Sequence, residues 1–92
     1  MEVKEIGLKD MVLVIKRLGE IKREAIAIKT NDDKTKAMLF DSIVQAVALK
    51  EELENLNLLL ADNVDIEKLY IKSRKLFEAF NLIKENIRDK EI

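Results

Sequence analysis

The sequence predicts an all-α fold, an antiparallel three-helix bundle of long helices connected up-down-up. Apolar residues recur at alternating spacings of three and four, which places them along one side of an α-helix. Two clusters rich in Asn and Asp, at 30–33 and 61–65, interrupt this pattern with residues that favour turns and helix caps. The 92 residues include no Pro and two Gly, so little else breaks the helices. This length fits a single domain.

The first helix is predicted from about Leu8 to Lys29. Its main apolar seam comprises Met11, Val14, Leu18, Ile21, Ala25 and Ile28. A second seam beside it runs through Leu8, Val12, Ile15, Gly19, Lys22 and Ile26, so we expect two neighbours for this helix. Gly19 either allows close backbone approach or is a tolerated Gly costing about 1 kcal/mol relative to Ala. Residues 1–7 fit neither seam and are expected to form a tail or short extra element before the bundle domain of 8–92.

The second helix is predicted from about Lys34 to Ala61, capped by Asp32 or Asp33. Its expected seam comprises Leu39, Ile43, Ala46, Leu53 and Leu60. Lys50 and Asn57 fall at seam positions, where polar groups can set register or, for Lys, extend to the surface. Further apolar residues on both flanks, among them Phe40, Val44 and Val47, predict that this is the most buried helix.

The third helix is predicted to begin after a cap at Asp65 and to run to about Asp89. Its seam comprises Ile66, Leu69, Ser73, Leu76, Phe80, Ile83 and Ile87. We expect the Ser73 hydroxyl to bond the carbonyl of Leu69, four residues back, and its small size to permit close helix packing.

The composition argues against an enzyme and against a bound metal or organic cofactor. The chain has no His and no Cys, so it lacks the commonest general base, the commonest soft nucleophile and thiolate metal ligands. No glycine-rich phosphate loop is present. Glu51, Glu52 and Glu54 are interpreted as a solvated edge. A rival hypothesis is a polar pocket in the bundle core, formed by Lys50, Asn57, Ser73 and Tyr70.

Several features bear on location. The longest apolar run, residues 11–15, is far shorter than the about 20 residues of a membrane-spanning helix. The charged first residues resemble no secretory signal, and the absence of Cys suits the cytoplasm. Abundant Lys and Glu with a single Gln are also seen in thermophilic proteins, although AT-rich genomes favour a similar composition.

The surplus of apolar residues predicts a non-enzymatic protein–protein interaction module, a homodimer or a small subunit of a larger assembly. The candidate interface residues lie outside the main seams: Val12, Ile26, Leu58, Leu59, Ile71 and Leu82. The alternative is a small nucleic-acid-associated protein with basic stripes on the first and third helices. These stripes comprise Lys9, Lys16, Arg17, Arg23, Lys68, Arg74, Lys75 and Arg88. Nucleic acid is the less favoured partner because the net charge is −1 and acidic residues interleave with the basic ones.

Overall fold

The computed structural model describes residues 7–57 and 62–90 and confirms the all-α three-helix bundle. Helix α1 spans Leu8–Ala27, α2 spans Asp33–Asn55 and α3 spans Asn63–Lys90. No strand occurs within the described residues. Helix α2 packs against both of the others, whereas the contact between α1 and α3 is the least extensive.

The core lies where the apolar seams of the three helices meet. The main seam predicted for α1 and the seam predicted for α3 are confirmed, with the last residue of each, Ile28 and Ile87, only half-buried. The second seam predicted for α1 is wrong, because most of its residues face water: Leu8, Val12, Lys22 and Ile26 are exposed. Among the largest side chains, Met11, Leu18 and Phe80 are almost completely enclosed. The 3-4 spacing therefore identified the inner side of both helices correctly.

The predicted seam of α2 is wrong by a small rotation of the helix. Its buried residues are Thr35, Leu39, Ser42, Ala46, Leu49 and Leu53. Ser42 and Leu49 thus occupy the positions assigned to Ile43 and Lys50. Lys50 is consequently not a polar interruption of the core; it lies beside the seam, half-buried, with its Nζ 3.4 Å from Glu54 Oε1.

Two helix ends also differ from expectation. Helix α2 ends at Asn55, six residues before Ala61, because the backbone at Leu56 is extended. Asp62 caps α3 in place of Asp65: the amide of Val64 donates to Asp62 Oδ1 at 3.4 Å, and that of Asp65 to the Asp62 carbonyl at 3.1 Å. At the start of α2 the expected cap is confirmed, since Asp32 accepts from the Thr35 amide at 3.2 Å.

Three small residues, Ser42, Ser73 and Gly19, are of types that favour close helix packing or a backbone hydrogen bond. The Ser73 hydroxyl is fully buried and donates to the Leu69 carbonyl at 2.8 Å, as expected. Ser42 makes the same bond to the Met38 carbonyl at 3.0 Å. At Gly19 the close-approach hypothesis is wrong, because the heavy atom nearest an added Cβ is the Lys50 Cε at 3.9 Å, an ordinary van der Waals distance.

Candidate protein-interaction surface

The outward side of α2 exposes three large apolar side chains in one row. We call Phe40, Val44 and Val47 the outer stripe of α2. Their exposed fractions are 67%, 49% and 41%. At 3.6 residues per turn, Val44 lies half a turn around the helix from the buried seam. The prediction that this flank of α2 is buried is therefore wrong.

The outer stripe continues into the groove between α1 and α2. Near the α1–α2 turn, Phe40 lines a cleft of about 400 Å³ together with Ile26 and Ile43. Farther along, Val47 lines a smaller cleft of about 230 Å³ together with Leu18. One side of the molecule is therefore apolar across two helices, which on a soluble protein is typical of a binding surface.

Opposite charges flank the two ends of the outer stripe. Lys29 and Lys36 line the cleft beside Phe40. Glu51 and Glu54 line the cleft beside Val47. The Glu54 carboxylate is held by Lys50 of the same helix, whereas Glu51 is exposed and forms no ion pair with any residue in 7–57 or 62–90. Lys22 and Lys50 also line this second cleft, so the surface runs from a basic end through an apolar centre to an end of mixed charge, where Glu51 is the unpaired acid among the described residues.

The predicted interface residues do not form a single patch. Val12 and Ile26 are exposed on α1, and Ile71 and Leu82 are exposed on α3. Only Ile26 lines a cleft with a residue of the outer stripe. Leu82 instead lines a cleft of about 480 Å³ between α2 and α3. Leu58 and Leu59 lie outside the described residues.

Sequence reasoning missed the outer stripe because it placed the buried seam of α2 one position away. A second 3-4 spacing was present in the sequence, through Ala37, Phe40, Val44 and Val47. Two apolar rows on opposite sides of one helix of a small bundle cannot both face the same core. That conflict was the available signal.

The groove between α1 and α3 contains a small ion-pair network, of which one pair joins the two helices. Glu24 of α1 accepts from Arg17 Nη1 at 2.7 Å and from Lys84 Nζ of α3 at 3.2 Å. The Lys84 ammonium also lies 5.2 Å from the centre of the Phe80 ring. Partial burial acts to raise the pKa of Glu24, but its bonds to Arg17 and Lys84 and their positive charges outweigh this, so the pKa lies below its ordinary value.

The four residues of the hypothetical polar pocket do not converge. Tyr70 lines a cleft of about 470 Å³ between α1 and α3, whereas Lys50 lines the smaller cleft between α1 and α2. The Ser73 hydroxyl is enclosed in the core and already bonded, and Asn57 is exposed beyond the end of α2. A common pocket for these residues is therefore contradicted by the structure.

The basic residues considered for nucleic-acid contact lie on separate faces. Arg17 is half-buried and forms ion pairs with Glu20 and Glu24, whereas the other seven basic residues are exposed. On α3, Arg74 lines the cleft facing α1, but Lys75 lines the cleft facing α2. Arg74 and Lys75, which are predicted to share one stripe on α3, therefore face different grooves.

Two other features, a metal site and a membrane-spanning helix, are absent from residues 7–57 and 62–90. No group of three or more acidic side chains there lies close enough together to hold a metal ion. Nor is any helix in this part of the chain both long and apolar enough to cross a membrane. Comparisons with protein-family models, with curated proteins and with solved structures find nothing that matches this chain.

Proposed function

We propose that this protein is a non-enzymatic, cytoplasmic protein–protein interaction module, a homodimer or a small subunit of a larger assembly. The observation that carries the proposal is the outer stripe of α2, extended by Ile26 of α1. Phe40 is the most exposed large apolar residue described, and it stands at the mouth of the cleft that contains Ile26. Aromatic anchors beside an apolar cleft are typical of the centre of protein interfaces.

The magnitudes favour a functional contact over chance exposure. Burying one such side chain completely gains about 1.5–3 kcal/mol, and those of the stripe are about half to two-thirds exposed. A symmetric contact buries each residue twice. Six or more side chains then offset much of the roughly 4–15 kcal/mol that association costs in translational and rotational freedom.

The proposal is tested by the size of the native protein in unfractionated lysate of its source cells. We expect it to elute in size exclusion well above its 10.6 kDa chain mass. Phe40→Lys at the chromosomal locus should return it to the monomer position, because the charge opposes burial of this site. Leu82→Lys, an equally drastic change at an exposed residue of α3, serves as the matched control. A wild-type protein that elutes as a monomer in lysate contradicts the proposed function.

A further inference from the structure

The residues along the outward side of α2 have a symmetrical order. Between positions 36 and 51 they are Lys36, Phe40, Val44, Val47 and Glu51, with all five side chains exposed. Asp33 and Glu54, also exposed, continue the same side of α2 beyond the two ends. Their spacings keep them within about a quarter of the helix circumference. Charges therefore stand at the two ends of the row, and apolar side chains fill its centre.

This row matches itself when reversed. Lys36 and Glu51 lie equally far from the midpoint between positions 43 and 44, on opposite sides. Phe40 and Val47 are likewise equidistant from that midpoint. A second copy placed antiparallel, with a two-fold axis through the midpoint, sets Lys36 beside the partner's Glu51 and Phe40 beside the partner's Val47. It also sets Asp33 beside the partner's Glu54, where the ion pair between Glu54 and Lys50 of the same helix reduces the repulsion. Each contact then occurs twice.

We propose that the occupant of the outer stripe is a second copy of this chain, with the two α2 helices packed antiparallel about a two-fold axis near Val44. This inference rests on the proposed function and names the partner. A parallel arrangement would place Lys36 beside Lys36 and Glu51 beside Glu51, so the charges select the antiparallel one. Ile26 extends the contact from α1, because it lines the cleft with Phe40.

The first test uses purified protein and analytical ultracentrifugation. The wild type is expected to be a dimer at micromolar concentration. Val44→Lys should raise the dissociation constant at least about 100-fold, because it puts two charges at the two-fold axis. The matched control is Val12→Lys, at a comparably exposed Val on α1, which should dimerise like the wild type. Circular dichroism should show unchanged helicity for both variants, since both sites are exposed.

The second test exchanges the terminal charges. Lys36→Glu alone and Glu51→Lys alone should each weaken the homodimer about tenfold at low salt, because two attractive contacts become repulsive. Mixing the two variants should restore wild-type affinity through a heterodimer in which both contacts are again attractive. The double exchange within one chain should restore the homodimer. The effects should shrink as salt screens the charges.

The third test maps the orientation directly. The chain lacks Cys, so single cysteines give unambiguous cross-links. Lys36→Cys mixed with Glu51→Cys should cross-link efficiently with a short bis-maleimide, whereas either variant alone should not. Self-cross-linking by Lys36→Cys alone would indicate a parallel pair and overturn the inference.

The outcomes separate this inference from the proposed function. A wild type that is dimeric while Val44→Lys remains equally dimeric overturns the inference, although self-association at another surface still satisfies the function. A purified wild type that stays monomeric at high micromolar concentration also overturns it. The function then stands only if the native protein in lysate is larger than a monomer, which indicates a different protein partner.

Discussion

On α2, the inner face and the outer stripe are built from the same class of residue but have opposite surroundings. Leu39, Leu49 and Leu53 are buried in the seam, whereas Phe40 and Val44 are exposed. Both rows follow the 3-4 spacing of an amphipathic helix. The spacing specifies which residues share a face, and only the arrangement of the other two helices determines which face is covered.

The difference follows from the number of neighbours available. A helix in a three-helix bundle has two partners, which cover adjacent sides and leave the remaining side to water. Helix α2 carries apolar residues on that remaining side as well. This apolar row lies outside the buried core, and it is the feature on which the proposed intermolecular contact rests.

The largest expected contrast is between two phenylalanines. Phe80→Ala removes a ring that is 0% exposed and should lower the free energy of unfolding by about 3–5 kcal/mol. Phe40→Ala removes a ring that is 67% exposed and should change the stability of the monomer by about 0.5 kcal/mol or less. Urea denaturation at protein concentrations below the dimer dissociation constant provides the measurement. Similar losses for the two variants would mean that the outer stripe belongs to the core.

A smaller contrast concerns added volume. Ser73 is fully enclosed, so Ser73→Leu should cost about 1–3 kcal/mol through overpacking. Ser73→Ala keeps the volume and should be nearly neutral, because the Leu69 carbonyl stays bonded within the helix. On the outer side, Val44→Leu should leave monomer stability unchanged. Thermal denaturation of the three variants measures these differences in stability. A Ser73→Leu variant as stable as the wild type would show that the inner face has unused space.

The sequence predicted α1 and α3 better than α2 for a physical reason. On α1 and α3 one 3-4 series is clearly the longest, and its residues are buried, although α1 also exposes apolar residues such as Val12 and Ile26. On α2 apolar residues lie around most of the circumference, so several seams fit nearly equally well. The prediction places Ile43 and Lys50 in the seam, where the structure buries Ser42 and Leu49. The predicted buried side is therefore rotated about the helix axis relative to the observed one.

That rotation also explains what was missed at the surface. Ile26 is exposed, as a candidate interface residue should be, although the predicted second seam of α1 would place it against a neighbouring helix. The predicted seam places Phe40 and Val44 on a buried flank of α2. The sequence pattern therefore does not indicate that they share an exposed side with Lys36 and Glu51. Helix caps are limited in the same way. Asp32, one of the two residues predicted to cap α2, is the cap, but α3 is capped by Asp62 and not by the predicted Asp65, because the cap depends on where the chain turns. Propensity alone does not determine that position.

Gly19 of α1 lies in the groove facing α2 and offers a stabilising change. Gly19→Ala should raise the free energy of unfolding by about 0.5–1 kcal/mol, because the site is helical and the nearest atom to the new methyl is 3.9 Å away. Gly7→Ala is the matched control. Gly7 precedes α1 with extended backbone, where Gly is preferred to Ala, so no gain is expected. A loss at Gly19, measured by urea denaturation, would mean that the α1–α2 groove is closer packed than described.

The smallest expected effect tests the ion-pair network in the groove between α1 and α3. Glu24→Gln should lower stability at neutral pH by a few tenths of a kcal/mol, because the carboxylate is 41% exposed and its pairs with Arg17 and Lys84 are screened by water. The matched control is Glu52→Gln, since Glu52 is exposed and joins none of the ion pairs among the described residues.

The effect of Glu24 on stability has a definite pH dependence. The folded state lowers its pKa below the ordinary value of 4.5, so the unfolded chain takes up the proton first as the pH falls. The stabilisation is therefore complete above pH 4.5 and is lost as the pH drops below 4.5 through the folded pKa. Denaturation curves of the wild type and Glu24→Gln should consequently converge in that acidic range, while Glu52→Gln should follow the wild type throughout. A difference that persists unchanged at acidic pH would mean that Glu24 acts through packing of its side chain, and that the α1–α3 groove is held by contacts other than its charges.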